Sequence, residues 1–147
     1  MNIYAESSAV LSWLLGEKHR TAVQRLLRTA EIVFTSDLTL VECERVLIRA
    51  VSLKEMTESR AESCRNRFIT ATARWHVLRL SAEVIDRARR PFPGEPIRTL
   101  DALHLASAIV GQCALPGLSV LSLDKRIRSA AQQLGFNILP KAKKTEG

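Results

Sequence analysis

The sequence is poor in cysteine and aromatic residues, and it contains no long apolar run. Only three cysteines occur, without a Cys-x-x-Cys pair, which argues against a disulfide framework and a cysteine zinc site. Aromatic residues make up 5% of the chain, too few to indicate a surface on which bases stack. The longest apolar run, residues 102–110, is broken by His104 and Ser107 and is far shorter than the ~18 residues that span a bilayer. We therefore expect reduced, buried thiols and no membrane partner.

Several catalytic and nucleotide-binding motifs are also missing. No Gly-x-Gly-x-x-Gly follows the first strand and no Gly-x-x-x-x-Gly-Lys occurs, which argues against a dinucleotide-binding fold and a P-loop. Gly-x-Ser-x-Gly is absent, and Ser7 and Ser8 have no evident histidine partner, which argues against a serine hydrolase. The N-terminus has no basic stretch followed by an apolar core, so we expect no signal peptide and a cytoplasmic location.

The composition is that of one globular domain with an excess of basic residues. The chain has 147 residues, of which 46% are hydrophobic and 25% charged, enough to bury a core without disulfides. Lysine and arginine outnumber aspartate and glutamate by 22 to 15, a net charge of +7. This excess favours a polyanion or an acidic protein as partner. It does not choose between them, and a simple contribution to solubility is equally open.

Short apolar runs of strand type alternate with longer segments of helical apolar spacing. The predicted strands are Ile3–Ala5, Ile32–Thr35, Trp75–Leu80, Leu118–Leu123 and Phe136–Leu139. The predicted helices are Ser8–Leu15, His19–Ala30, one capped by Ser36-Asp37 or Thr39 and ending near Val51, Glu58–Arg74, Ser81–Arg90, Thr99–Val110 and Asp124–Leu134. This alternation predicts an α/β fold with a parallel sheet covered on both faces. We predict one domain over residues 1–140 with a short central sheet of four to five strands, followed by a basic tail at residues 141–147 that contains Lys141, Lys143 and Lys144.

Four acidic residues lie at the ends of predicted strands or the beginnings of predicted helices. They are Glu6, Glu42, Asp101 and Asp124. In an open parallel sheet these positions fall along one edge, where ligands bind. Carboxylates gathered there repel one another unless some are protonated or a cation holds them together. Oxygen ligands favour a hard divalent ion, Mg²⁺ or Mn²⁺, and with a basic surround they indicate phosphodiester hydrolysis.

Each acid also has a purely structural interpretation. Acidic side chains are stabilised at helix N-termini by the helix dipole and the free N–H groups. Thr39-x-x-Glu42 could form a capping box, and Asp124 could be an N-cap. Glu6 is harder to explain in this way, because a carboxylate at the end of an apolar strand is costly unless it is compensated.

Four sequence blocks resemble a known family. They are Ile3-Tyr4-Ala5-Glu6-Ser7-Ser8-Ala9, Thr39-Leu40-Val41-Glu42, Arg98-Thr99-Leu100-Asp101-Ala102-Leu103-His104-Leu105-Ala106 and Leu121-Ser122-Leu123-Asp124-Lys125-Arg126. In content, order and spacing they are similar to the PIN domain, and more narrowly to the VapC toxins of type II toxin–antitoxin systems. The resemblance extends from residue 3 to about residue 139.

The resemblance implies a single PIN-like domain and a metal-dependent endoribonuclease. It implies that Glu6, Glu42, Asp101 and Asp124 hold Mg²⁺ or Mn²⁺ and carry catalysis, with Ser8 and Ser122 orienting ligands or a water. It further implies cleavage of RNA, commonly transfer or ribosomal RNA, and inhibition of translation until a VapB-type antitoxin binds. The toxin would be a homodimer within the toxin–antitoxin complex, and would meet DNA only through the antitoxin.

The sequence departs from the family pattern at its first acid, which is usually aspartate and is here Glu6. The longer side chain could displace a metal, and a shift of roughly 1 Å can cost about a hundredfold in rate. The alternative is therefore a weakened PIN-like module that binds antitoxin or RNA without cutting. A flavodoxin-like signalling domain is a third option, but it would need paired acids after the first strand.

Four further residues are candidates near the acids. His104 follows Asp101 on the same helix face, so it could be a ligand or a general base. We expect it instead to support the ligands from behind them, because the expected ion prefers oxygen. Arg98, Lys125 and Arg126 adjoin the third and fourth acids, so we predict that they contact the RNA backbone.

Overall fold

A computed structural model describes residues 1–142 of the chain. Its elements run in the order β1 (Asn2–Ala5), α1 (Ser7–Leu14), α2 (Arg20–Thr29), β2 (Ile32–Ser36), α3 (Asp37–Ser52), α4 (Glu58–Thr72), β3 (His76–Leu78), α5 (Ala82–Ala88), α6 (Thr99–Ala114), β4 (Ser119–Leu121), α7 (Lys125–Gln133) and β5 (Asn137–Leu139). The predicted alternation of strands and helices is confirmed. Lys143 and Lys144 of the predicted tail lie outside the described residues.

The five strands form one parallel sheet in the order β3-β2-β1-β4-β5. From β1 the chain adds β2 and β3 on one side, and then adds β4 and β5 on the other side of β1. The strand order therefore reverses between β1 and β4. Ile3 in β1 pairs with Val33 of β2 and with Ser119 of β4. The carboxyl ends of β1 and β4 therefore flank the switch point, where open α/β sheets bind ligands.

Side chains of β1 alternate between two cores on opposite faces of the sheet. Ile3 and Ala5 pack into a core with Val10 and Leu14 of α1, whereas Tyr4 packs into a second core that includes Leu105 of α6. Helices α1 to α4 cover the first face and α5 to α7 the second. Burial on both faces explains why the strand sequences are almost continuously apolar. The predicted sheet flanked by helices on both faces is confirmed.

Three element boundaries differ from the prediction for identifiable reasons. The helix predicted to end at Val110 continues to Ala114, because Gly111 permits close packing: a methyl group there would lie 3.3 Å from side-chain carbons of Leu118 and Leu78. The strand predicted over Trp75–Leu80 is only three residues long, since it lies at the sheet edge and pairs with β2 alone. The strand predicted over Leu118–Leu123 ends at Leu121, because the next two backbone N–H groups bond outside the ladder with β1. That of Ser122 donates to the Leu139 carbonyl of β5, and that of Leu123 donates to the Ser8 hydroxyl of α1.

No helix within residues 1–142 combines the length and apolar character that crossing a bilayer requires.

Candidate active site

The four predicted acids lie along the carboxyl edge of the sheet, beside the switch point. Glu6 follows β1 and is the N-cap of α1, and Asp124 is the N-cap of α7 after β4. Asp101 is in the first turn of α6. Glu42 lies one turn further into its helix than expected, because Ser36 rather than Thr39 caps α3 and the predicted Thr39-x-x-Glu42 capping box does not form.

Glu6 is 4% exposed and is held by donors from both sides of the switch point. Its Oε1 accepts the Ser8 backbone N–H at 3.1 Å, and its Oε2 accepts the hydroxyl of Ser122 at 2.7 Å and that of Ser8. These bonds compensate the cost of burying a carboxylate. The predicted supporting serines thus both bind Glu6 directly.

The same two hydroxyls position the loop that leads to Asp124. Ser8 Oγ accepts the backbone N–H groups of Leu123 at 2.9 Å and Asp124 at 3.1 Å. Ser122 Oγ also accepts the Asp124 N–H at 3.1 Å. Glu6, Ser8 and Ser122 therefore form a buried polar network, the Glu6 network, that fixes the backbone of the fourth acid relative to the first.

Glu42 is held by a second network, centred on His104, that joins α3 to α6. His104 is 2% exposed, and its Nε2 lies 2.5 Å from Oε1 of Glu42. Since a carboxylate only accepts hydrogen bonds, Nε2 is the donor in this one. The Ser7 hydroxyl donates to the same oxygen at 2.8 Å and lies 3.2 Å from Nε2. Tyr4 Oη lies 2.9 Å from Nδ1 of His104 and donates to Ser36 Oγ at 3.0 Å.

This His104 network corrects one prediction and adds two residues to the site. Ser7 does have a histidine partner, although the two residues are far apart in sequence and no motif links them. Tyr4 was missed because it stands within an apolar strand, where an aromatic residue indicates core packing. His104 lies behind Glu42, and its supporting role stays a prediction.

The pKa values of Glu42 and Asp101 shift in opposite directions. Burial works against the charged form of Glu42, but the hydrogen bond and charge of His104, with the bond from Ser7, outweigh it and lower its pKa. Burial raises the pKa of Asp101, and the nearby charge of Asp124 raises it further, against the opposing charges of His104 and two arginines. Asp101 and Asp124 are thus close enough to repel each other.

The donor set fits a hard cation in kind, because all four predicted ligands are carboxylates. Their spacing is wider than that of ligands around a bound ion. Within residues 1–142, no three acidic, histidine or cysteine residues are close enough together to share one ion. Oδ1 of Asp124 accepts the N–H groups of Arg126 at 2.9 Å and Ile127 at 3.1 Å. Asp101 is half-buried beside a cavity.

The three predicted RNA-binding residues line that cavity together with Asp101. The cavity has a volume of about 600 Å³ and lies between residues 94–98, α6 and α7. Arg98 precedes α6, and Lys125 and Arg126 begin α7; all three are exposed. We call this cavity the basic cleft. A cationic surface adjoins the acidic edge, as contact with an anionic polymer requires.

Residues 3–133 match the PIN domain. The chain belongs to the PIN-domain family. Ribonuclease VapC46 of Mycobacterium tuberculosis is 32% identical over 137 residues, which cover 93% of this chain and 95% of that protein. This PIN domain is therefore of the VapC type, as the sequence blocks predict.

Solved structures agree with the PIN fold. VapC20 of Mycobacterium tuberculosis, described as a toxin that cleaves the sarcin–ricin loop, has a TM-score of 0.61 at 17% identity, over 87% of this chain and 94% of that one. VapBC2 from Rickettsia felis, bound to a DNA fragment from its promoter, has a TM-score of 0.62 at 11% identity, over 94% and 97%. At these identities the likeness establishes the fold alone.

Proposed function

We propose that this PIN-domain protein is a divalent-metal-dependent endoribonuclease toxin. It would cleave transfer or ribosomal RNA and stop translation until a VapB-type antitoxin binds. The observation that carries the proposal is the placement of four acids, from four separate places in the chain, along the switch-point edge beside the basic cleft. The relationship to VapC46 supports the same activity.

Asp101, Asp124 and Glu42 would hold Mg²⁺ or Mn²⁺, and Glu6 would complete the set of acids. A bound ion of this kind polarises a phosphoryl oxygen and lowers the pKa of an attacking water. The repulsion between Asp101 and Asp124 supports this role, because a cation between them would relieve it. His104 and Ser7 would hold one oxygen of Glu42 in place, and Ser8 and Ser122 would fix Glu6 and the Asp124 backbone.

The basic cleft would orient the RNA. Arg98, Lys125 and Arg126 would bind phosphates on either side of the bond to be cut. The two guanidinium groups match phosphate oxygens in geometry, and the lysine ammonium adds a point charge. All three cysteines are free thiols, but only Cys43 and Cys64 are buried as expected, whereas Cys113 is exposed near the end of α6. Free thiols support action in a reducing compartment, the cytoplasm.

A protein partner and a dimeric complex are part of the proposal. The structural likeness to VapBC2 supports a cognate antitoxin that binds this chain. The toxin would then be a homodimer within the complex, and contact with DNA would pass through the antitoxin. Co-expression with the protein encoded beside it, followed by mass measurement of the intact complex, tests both parts.

The alternative is a module that binds without cutting, and one observation favours it. Both carboxylate oxygens of Glu6 are occupied by Ser8 and Ser122, so this side chain is engaged by the protein itself. If Glu6 is needed as a metal ligand, the native chain would cleave poorly and Glu6→Asp would restore the rate.

Cleavage of a total RNA pool by the purified protein decides between the two. We expect discrete cuts with Mg²⁺ or Mn²⁺, none with chelator, and none from Asp101→Ala. Asp86→Ala, at an exposed position in α5, is the matched control and should cut normally. Absence of cuts by the native chain and by Glu6→Asp, with both metals, would refute the nuclease.

A further inference from the structure

The basic cleft contains more than phosphate-binding cations. Its wall includes Pro96, which is exposed, and Ile97, which is half-buried. Its volume of about 600 Å³ falls in the range of small-molecule sites, roughly 300–1,000 Å³. An apolar wall contributes nothing to binding a phosphate alone. It would contact a flat ring attached to that phosphate.

The outer wall of the cleft offers polar groups at regular spacing. Lys125, Ser129 and Gln133 lie four residues apart in α7, so they share one helix face, and all three are exposed. The hydroxyl and the amide can both donate and accept hydrogen bonds. They therefore supply what is needed to recognise the polar edge of a base.

The position of Gln133 depends on a glycine across the cleft. A methyl group at Gly94 would lie 2.9 Å from Nε2 and 3.0 Å from Oε1 of Gln133. Gly94 also has a φ of +80°, a conformation that other residues rarely adopt. The loop thus approaches the amide closely and closes the cleft on that side.

We propose that the basic cleft is a subsite for one unstacked nucleobase of single-stranded RNA, next to the phosphate presented to Asp101. The base would lie against Pro96 and Ile97, its phosphate would meet Arg98 and Lys125, and Gln133 would recognise its edge. RNA is commonly recognised through bases splayed out of single-stranded segments. This inference rests on the proposed function for its choice of substrate.

Binding measured in chelator separates this subsite from cleavage. The probe is a panel of short single-stranded RNAs that carry 2-aminopurine at one position in turn, with fluorescence and anisotropy as readouts. Ser129→Trp would fill the cleft from an exposed position, and we expect it to weaken binding by about tenfold, because the burial of roughly 60 Å² of apolar surface would be lost. Gln133→Ala should bind the panel with the same overall affinity. We expect the ratio of affinities for different bases at one position to fall by about tenfold.

Matched controls come from the neighbouring residue of α7. Gln132 is exposed and lies outside the basic cleft, in an adjoining groove that shares Lys125 and Ser129 with it. Gln132→Trp and Gln132→Ala should bind the panel as the native chain does. Circular dichroism of each variant verifies that it folds.

The outcomes separate this inference from the nuclease itself. Native protein that cuts RNA, with Ser129→Trp and Gln133→Ala equal to it in affinity and base preference, would overturn the subsite and leave the nuclease standing. If neither the native chain nor Glu6→Asp cuts RNA with either metal, but the native chain binds the panel in the expected pattern, the nuclease would be refuted and the subsite supported. Failure of the native chain to bind any member, or an effect of Ser129→Trp on antitoxin binding alone, would overturn the subsite.

Discussion

Removal of the His104 side chain should destabilise the protein through one identifiable network. The imidazole is 2% exposed and bonds to Glu42 at 2.5 Å and Tyr4 at 2.9 Å. A hydrogen bond to a charged group contributes about 1.5–3 kcal/mol, and the cavity left by the ring adds to that loss. Partial exposure of Glu42 reduces the first figure. For His104→Ala we expect a loss of roughly 2–4 kcal/mol in the free energy of unfolding.

Urea and thermal unfolding measure this loss. In a chain of this length about 1 kcal/mol corresponds to roughly 2–4 °C in Tm, so a fall of about 5–15 °C is expected. Gln132→Ala is the control, because Gln132 is exposed in α7 and should change stability by under ~0.5 kcal/mol. A double-mutant cycle with Glu42→Gln isolates the pair and should give a coupling of about 1–3 kcal/mol.

The coupling should also depend on pH in one direction. The folded protein lowers the pKa of Glu42, so the paired carboxylate stabilises the fold above the ordinary glutamate pKa. That contribution should disappear as the pH falls through the lowered value and Glu42 is protonated. A coupling under ~0.5 kcal/mol at neutral pH, or one that grows in acid, would refute the argument.

Three further perturbations test the site. Asp101→Asn should raise the free energy of unfolding at neutral pH. Burial and Asp124 raise the pKa of Asp101 in the folded protein, so the native chain loses stability as the pH rises from the ordinary aspartate pKa through this raised value. Equal urea midpoints of the two proteins at neutral pH would contradict this. Ser122→Ala should cost about 1–3 kcal/mol in urea unfolding, because Glu6 loses a buried donor. Arg128→Ala should increase hydrogen exchange at the ends of β4 and β5, because its guanidinium donates to three carbonyls there; unchanged exchange would argue against it.

Local sequence patterns predicted the elements of the fold and the placement of the acids. Apolar periodicity is a property of short windows, so each strand and helix is visible in its own residues. Glu6 and Asp124 could be placed at one edge because parallel strands share a direction. Element boundaries were predicted less accurately where they depend on the neighbouring strand. The edge strand β3, for example, ends at Leu78, opposite the end of β2 at Ser36.

The pairing of the site residues could not be predicted in the same way. His104 and Glu42 are 62 residues apart, and their contact depends on how α3 and α6 pack around Tyr4. Ser7 bonds to Glu42 only because α1 begins directly after β1 and directs its first hydroxyl toward α3. Such contacts come from tertiary packing, which no single window of sequence contains.

The two networks divide the four acids into two pairs with different surroundings. Glu6 and Glu42 are held by serine and histidine donors supplied by the protein, which compensate their burial. Asp101 lines the basic cleft and is repelled by Asp124, so the charged pair destabilises the folded chain. Changes to the first pair should therefore weaken folding together with function. Changes to Asp101 should remove function while stabilising the fold, which is the expected behaviour of a residue placed for a ligand.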